Sequence, residues 1–180
     1  MISWQELNRQ VQAKLPGNLA LADERPIVLI DSRTQRLHSI DIEQEENTSY
    51  PVSTAANGLG NREESYKTPF GILRIKQKIG GGEPAGTVFE GRKPSGRISN
   101  KTDNRQQDEI TSRILWLDGM EQGFNKGRGY DTFSRYIYIH GTSDEKRIGQ
   151  PVSEGCIRMK NEDVIDLFDR VLVNDLVVIR

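Results

Sequence analysis

The sequence predicts a mainly β fold with a helix at each end, and three observations support this. Short runs rich in β-branched and aromatic residues recur from about residue 26 onward, each bounded by Gly, Pro, Asn or Asp. Apolar spacing turns helical near the start and again near the end. No internal repeat, coiled coil or low-complexity tract interrupts this pattern.

Taken in order, residues 3–15 predict a short amphipathic helix. Ser3 and Glu6 stand at capping-box spacing, Trp4, Leu7, Val11 and Leu15 recur on one face, and Pro16-Gly17 ends it. This segment reads as a helical extension over 1–20, ahead of a domain over 26–180. Strands are expected at 27–31, 36–40, 50–53, 71–75, 87–89, 114–117 and 136–140. Two long loops are expected, at 76–86 with Gly80-Gly81-Gly82 and at 91–112. Asn161 is positioned to cap a helix running to about Val171, with Val164, Ile165, Leu167, Phe168 and Val171 inward. A closing strand follows at 176–179.

A chain of 180 residues can bury a real core as one domain. Its net charge of −1 supplies no electrostatic attraction for nucleic acid or an anionic membrane. The stretch 97–110 mixes both signs and reads as a solvated loop. No apolar run approaches the roughly 20 residues needed to span a bilayer. The first residues show neither a basic n-region nor an apolar h-region, so no signal peptide is visible. The expected address is the envelope or periplasm if the protein is exported, and otherwise the cytoplasm. Nothing in the sequence sets an oligomeric state.

Chemistry concentrates in two segments. Tyr136-Ile137-Tyr138-Ile139-His140-Gly141-Thr142 is an apolar strand that ends on a histidine. After a loop containing Gly149 and Pro151 comes Ser153-Glu154-Gly155-Cys156-Ile157-Arg158-Met159, which holds the single cysteine. A free thiol of pKa about 8.5 is only a few per cent thiolate at neutral pH, and a neighbouring imidazole can take its proton. The same ring can later protonate a leaving amine. Its second nitrogen needs an acceptor, for which the Gly141 carbonyl is a candidate. Backbone N–H groups around Gly155 and Cys156 are candidates for an oxyanion hole. Arg158 is open to two roles, favouring the thiolate or a substrate carboxylate on one side and forming a structural salt bridge on the other.

Other signals are discounted. His38 reads as a strand-surface residue. His38, His140 and Cys156 do not have zinc-site spacing. The segment Gly91-Arg92-Lys93-Pro94-Ser95-Gly96-Arg97 has the glycine spacing of a phosphate loop but lacks its Lys-Ser/Thr.

His-Gly-Thr, a loop of about a dozen residues and Ser-x-Gly-Cys-Ile-Arg together resemble the catalytic core of the L,D-transpeptidase (YkuD) family. Residues 27–37 resemble that family's opening hairpin. Pro51-Val52-Ser53-Thr54 with Lys67-Thr68-Pro69-Phe70-Gly71 resembles its "pVSTg…TPxG" stretch. The resemblance spans about 26–180 in order. It implies a β-sandwich with short helices, with Cys156 as nucleophile and His140 as general base and acid. Ser153, Gly155, Arg158 and Gly141 would then shape an oxyanion and substrate site. The implied substrate is a peptidoglycan stem tetrapeptide, attacked between meso-diaminopimelate and D-alanine. Neither metal nor organic cofactor is implied.

Many family members carry histidine just before Gly-Cys, where this chain has Glu154. A carboxylate facing the sulfur would oppose the thiolate, and alternation along an extended segment would point it away. Three rivals to the transpeptidase follow from the same residues. They are an L,D-carboxypeptidase using water, a non-catalytic cell-wall binding module, and a redox-responsive protein using the lone thiol.

Overall fold

The structure, a computed structural model, describes Arg9 and residues 27–41, 46–99 and 108–180. The helix expected over 3–15 lies, but for Arg9, outside the described residues.

The described residues form the strands β1 (Ile27–Asp31), β2 (Arg36–Asp41), β3 (Glu46–Pro51), β4 (Gly71–Ile79), β5 (Thr87–Glu90), β6 (Lys93–Ile98), β7 (Ile110–Gly119), β8 (Tyr138–Thr142), β9 (Ile157–Met159) and β10 (Leu176–Ile179), a 3-10 turn at Glu145–Arg147 and the helix α1 (Asn161–Arg170). The strands run in the order β3-β2-β1-β10-β4-β7-β5-β6, and β8 leaves β7 on a second branch that continues to β9. β1 pairs in parallel with β10 and antiparallel with β2. It is buried along its whole length, which explains its unbroken apolar run.

β7 organises both faces. Leu115 and Leu117 join the main core with Ile139, Ile157, Met159 and the inner face of α1. Ile114 and Trp116 point the other way, into a smaller cluster with Phe89 and Tyr138, against which Cys156 packs. Alternation with period two sorts the same strands into these two layers, as in a sandwich. Lys78 closes the C-terminal end of α1, donating to the carbonyls of Phe168 at 2.6 Å and Val171 at 2.5 Å. These are carbonyls that a helix end leaves without internal partners.

Several elements differ from expectation. The strand expected at 50–53 is β3, four residues earlier at its start, while Ser53 and Ala55 make isolated bridges to Arg158 and Ser153 instead. The strand expected at 136–140 begins at Tyr138, because Tyr136 has φ +56 and turns the chain. Both long loops are shorter than expected. β4 extends to Ile79, β6 occupies 93–98, and β7 starts at Ile110. Asn161 is the first residue of α1 rather than its cap. Lys160 is the N-cap and makes no side-chain cap bond. The Asn161 side chain ties neighbouring elements together, accepting from Thr111 and Ser112 and donating to the Thr142 carbonyl and Glu145. Ile165 is only half-buried, whereas Val164, Leu167, Phe168 and Val171 are inward.

Candidate active site

The turn that carries Cys156 is braced by the segments Pro51-Val52-Ser53-Thr54 and Lys67-Thr68-Pro69. Ser53 and Arg158 exchange two backbone hydrogen bonds of 2.9 Å, and Ser153 N–H donates to the Thr54 carbonyl at 3.0 Å. The Thr68 hydroxyl donates to the Gly155 carbonyl and accepts from Ala55 N–H, both at 2.9 Å. Ser153 Oγ donates to the Cys156 carbonyl at 2.5 Å and accepts from Gly155 N–H at 3.2 Å. Gly155 has φ +141, a backbone conformation that favours glycine, and a Cβ there would stand a tight 3.2 Å from Ile137 Cδ1.

The thiol is partly buried. Tyr138 N–H donates to Sγ at 3.4 Å, and the S–H lies 3.5 Å from the Tyr136 carbonyl. Burial pushes the thiol up to about 11. Tyr138 N–H and Arg158 pull it down, Asp108 pushes it up, and Arg135 pulls it down. The resting group at neutral pH is therefore a thiol, not the thiolate that an arginine two residues away suggested.

His140 is 3 % exposed, and its Nδ1 lies 2.7 Å from the Gly141 carbonyl. Burial lowers its pKa, against the attraction of Asp108 and the Gly141 bond. A carbonyl can only accept, so a neutral ring holds its proton on Nδ1 and leaves Nε2 unprotonated. β8 and β9 run in parallel with Ile139 opposite Ile157 and His140 opposite Arg158. With Ile139, Ile157 and Met159 in the core, the alternating positions Tyr138, His140 and Arg158 share the other face, and Cys156 precedes them by one step. Gly141 is buried and so close to β7 that a Cβ would meet the Thr111 carbonyl oxygen at 2.6 Å.

Arg158 pairs with Asp108, Nε to Oδ2, at 2.8 Å, with the two side chains 13 % and 10 % exposed. The Thr142 hydroxyl also donates to Asp108. Of the two roles left open for Arg158, the salt bridge is thus present, and its charge still acts on the thiol. Glu154 is exposed. His38 stands on β2, which is separated from β8 by four intervening strands in the sheet.

The family model for the L,D-transpeptidase catalytic domain (YkuD) matches residues 25–179. The chain belongs to that family. Among curated relatives, "Putative L,D-transpeptidase YqjB" of Bacillus subtilis is 44 % identical over 54 residues, which cover 28 % of this chain and 31 % of that protein. A second B. subtilis relative, "Putative L,D-transpeptidase YkuD", is 62 % identical over 29 residues, covering 16 % of this chain and 18 % of the relative. Among solved structures, L,D-transpeptidase 3 from Mycobacterium tuberculosis in complex with a faropenem-derived adduct superposes with TM-score 0.54 at 14 % identity. That likeness covers 86 % of this chain and 60 % of the other and concerns the fold. The chain thus spans less than two thirds of the length of each of these proteins.

For this L,D-transpeptidase family member, three groups around the thiol escaped sequence reasoning. Asp108 sits in a mixed-charge stretch that reads as solvated, and no local signal marks it. Arg135 gathers the carbonyls of Gly60, Asn61 and Lys67 at 3.2, 3.0 and 2.7 Å beside the cysteine turn. Trp116 stacks on Phe133 at 4.0 Å and meets Tyr138 edge-on at 5.4 Å, forming an aromatic wall along the sulfur. An apolar strand with a tryptophan already hints at such a wall, but not at which face bears it. No helix among the described residues is long and apolar enough to cross a membrane.

Proposed function

We propose that residues 26–180 form a cysteine-dependent L,D-transpeptidase domain acting on peptidoglycan stem tetrapeptides, in the cell envelope, with 1–20 as a helical extension. Cys156 is the nucleophile and His140 the base and acid. The observation that carries this is the β8–β9 register, which sets the cysteine turn beside a histidine whose Nδ1 is tied to Gly141.

The thiol transfers its proton to Nε2 of His140 as sulfur attacks the diaminopimelate carbonyl carbon. With a thiol near 11, forming a free thiolate at pH 7 would cost about 5 kcal/mol, so proton transfer accompanies C–S bond formation. The tetrahedral oxyanion is met by backbone N–H at Cys156, since Gly155 N–H is already donated to Ser153 Oγ. As the intermediate collapses, the C–N bond breaks, Nε2 returns the proton to the departing D-alanine amine, and a thioester forms. An acceptor amine then loses a proton to Nε2, attacks the thioester, and releases the thiol.

The test is intact-mass spectrometry after incubation with the tetrapeptide donor. Wild type should gain the mass of the donor less D-alanine, and Cys156→Ala and His140→Ala should not. An unmodified wild-type mass, with donor binding equal in wild type and Cys156→Ala, would instead identify a non-catalytic binding module. Product analysis with and without an acceptor amine separates transpeptidation from L,D-carboxypeptidation.

A further inference from the structure

We infer that Arg92, at the tip of the β5–β6 hairpin, binds a carboxylate of one of the two donor residues that flank the scissile bond, next to the thiol; this rests on the function proposed above. Glu90 and Lys93 pair across a two-residue turn formed by Gly91, φ +54, and Arg92, φ +68. Both central residues are left-handed, as a type I′ hairpin requires. Glycine takes that conformation freely at the second position and arginine does not. The turn alone gives no reason for an arginine, so the reason lies in where its side chain goes.

The guanidinium lies on the aromatic wall. Its Cζ is 5.0 Å from the ring centre of Trp116 and 5.0 Å from that of Tyr136, and a terminal N–H donates to the Tyr138 hydroxyl at 3.3 Å. The same residues surround the sulfur. The Tyr136 carbonyl faces the S–H, Tyr138 N–H reaches Sγ, and Cys156 packs against the Trp116 cluster.

Arg74, Arg97 and Arg158 each meet a carboxylate, those of Asp118, Glu109 and Asp108. The groups acting on the charge of Arg92 among the described residues are the phenols of Tyr138 and Tyr136. A guanidinium has five N–H donors, and stacking fixes its plane while leaving its edge open. Arg92 is therefore an oriented, partly exposed fork whose partners among the described residues, Tyr138, Trp116 and Tyr136, are neutral. The donor tetrapeptide offers two carboxylates near the scissile bond, one at the D-alanine terminus and one on the diaminopimelate side chain. Either fits a charge-assisted fork.

The test uses the full chain with Arg92→Asn and Arg92→Lys. Asparagine tolerates the left-handed turn and removes the charge, whereas lysine keeps the charge and loses the planar fork. Binding is measured by calorimetry in the Cys156→Ala background, and acylation by intact mass in the Cys156 background. The ligands are the tetrapeptide L-Ala-γ-D-Glu-meso-diaminopimelate-D-Ala, its C-terminal carboxamide, and its diaminopimelate side-chain amide. With Arg92 present, one of the two amides should bind roughly 10- to 100-fold more weakly than the parent, and which one identifies the carboxylate read. Arg92→Asn should abolish that discrimination, and Arg92→Lys should restore part of it. An equal loss for all three ligands in Arg92→Asn, or discrimination that persists without Arg92, overturns the inference. If discrimination holds but wild type forms no thioester, carboxylate recognition stands and the acyl-transfer chemistry falls.

Discussion

Replacing Arg158 by methionine separates the stability of the site from its chemistry. The Arg158–Asp108 pair stands at 2.8 Å with both side chains largely buried. At an effective dielectric of about 20, that separation corresponds to a gross attraction of about 6 kcal/mol, most of it offset by desolvation. Without Arg158, the donors to Asp108 among the described residues are the Thr142 and Ser143 hydroxyls, both on Oδ1, and the largely buried carboxylate loses its paired cation. The expected loss is about 3–5 kcal/mol in urea denaturation. Asp108→Leu alone strands the guanidinium and costs a similar amount. The double variant Arg158→Met/Asp108→Leu should recover to within about 1–2 kcal/mol of wild type, because neither charge is then left alone.

Reactivity must move differently. Arg158 lowers the thiol and Asp108 raises it, so Arg158→Met should slow iodoacetamide alkylation of Cys156 at pH 9 and Asp108→Leu should speed it. The two single variants thus agree in sign for stability and disagree for reactivity. A denaturation cost below about 1 kcal/mol for Arg158→Met, or alkylation rates that shift the same way in both, would refute the electrostatic account of this site.

Three further outcomes are expected. Gly141→Ala brings a Cβ to 2.6 Å from the Thr111 carbonyl oxygen and 2.8 Å from Asn161 Oδ1; it should cost about 2–3 kcal/mol, read by thermal denaturation, and slow acylation by displacing the carbonyl that orients His140. Glu154→Gln should keep most activity in the thioester assay, since the side chain is exposed, whereas a loss as deep as that of His140→Ala would make Glu154 part of the machinery. Stability should also fall at both ends of the pH range. Burial raises Cys156 from the ordinary thiol range to about 11 on folding, so from about pH 9 to 11 the folded chain keeps a proton the unfolded chain has released, and up to about 3 kcal/mol is lost as pH rises. His140 is depressed, so below its unfolded value the unfolded chain takes up a proton first, and stability falls with pH. Urea titrations from pH 4 to 11 check both limbs.

What was legible in the sequence follows from the range of the forces involved. β1, β10 and α1 carry their signals locally, as an unbroken apolar run or a helical period, and they lie where the pattern puts them. β6 contains Pro94 and Gly96 and is largely exposed, so no hydrophobic pattern marks it, and pairing with β5 alone defines it. β9 is three residues long and gains its identity from β8 on one side and Ser53 on the other. One of its two partners, Ser53, lies more than a hundred residues away along the chain. Asn161 shows the same limit, because a residue with strong capping preference is recruited by Thr111, Ser112, Thr142 and Glu145 once β7 and β8 come within its reach.

The site divides along the same line. Residue types near Cys156 and His140 announce the chemistry, but the protonation state does not follow from neighbours in sequence. An arginine two positions away argues for a thiolate. The fold answers that charge with Asp108, drawn from a distant and unremarkable stretch, and buries the sulfur against Trp116 and Tyr138. Desolvation then outweighs the nearby cation and leaves the thiol neutral, while burial likewise disfavours the charged form of His140. Neither group then carries a charge in this partly buried site. On the function proposed above, reactivity toward the donor is then coupled to occupancy, because the proton would move as a carbonyl carbon accepts the sulfur's electrons.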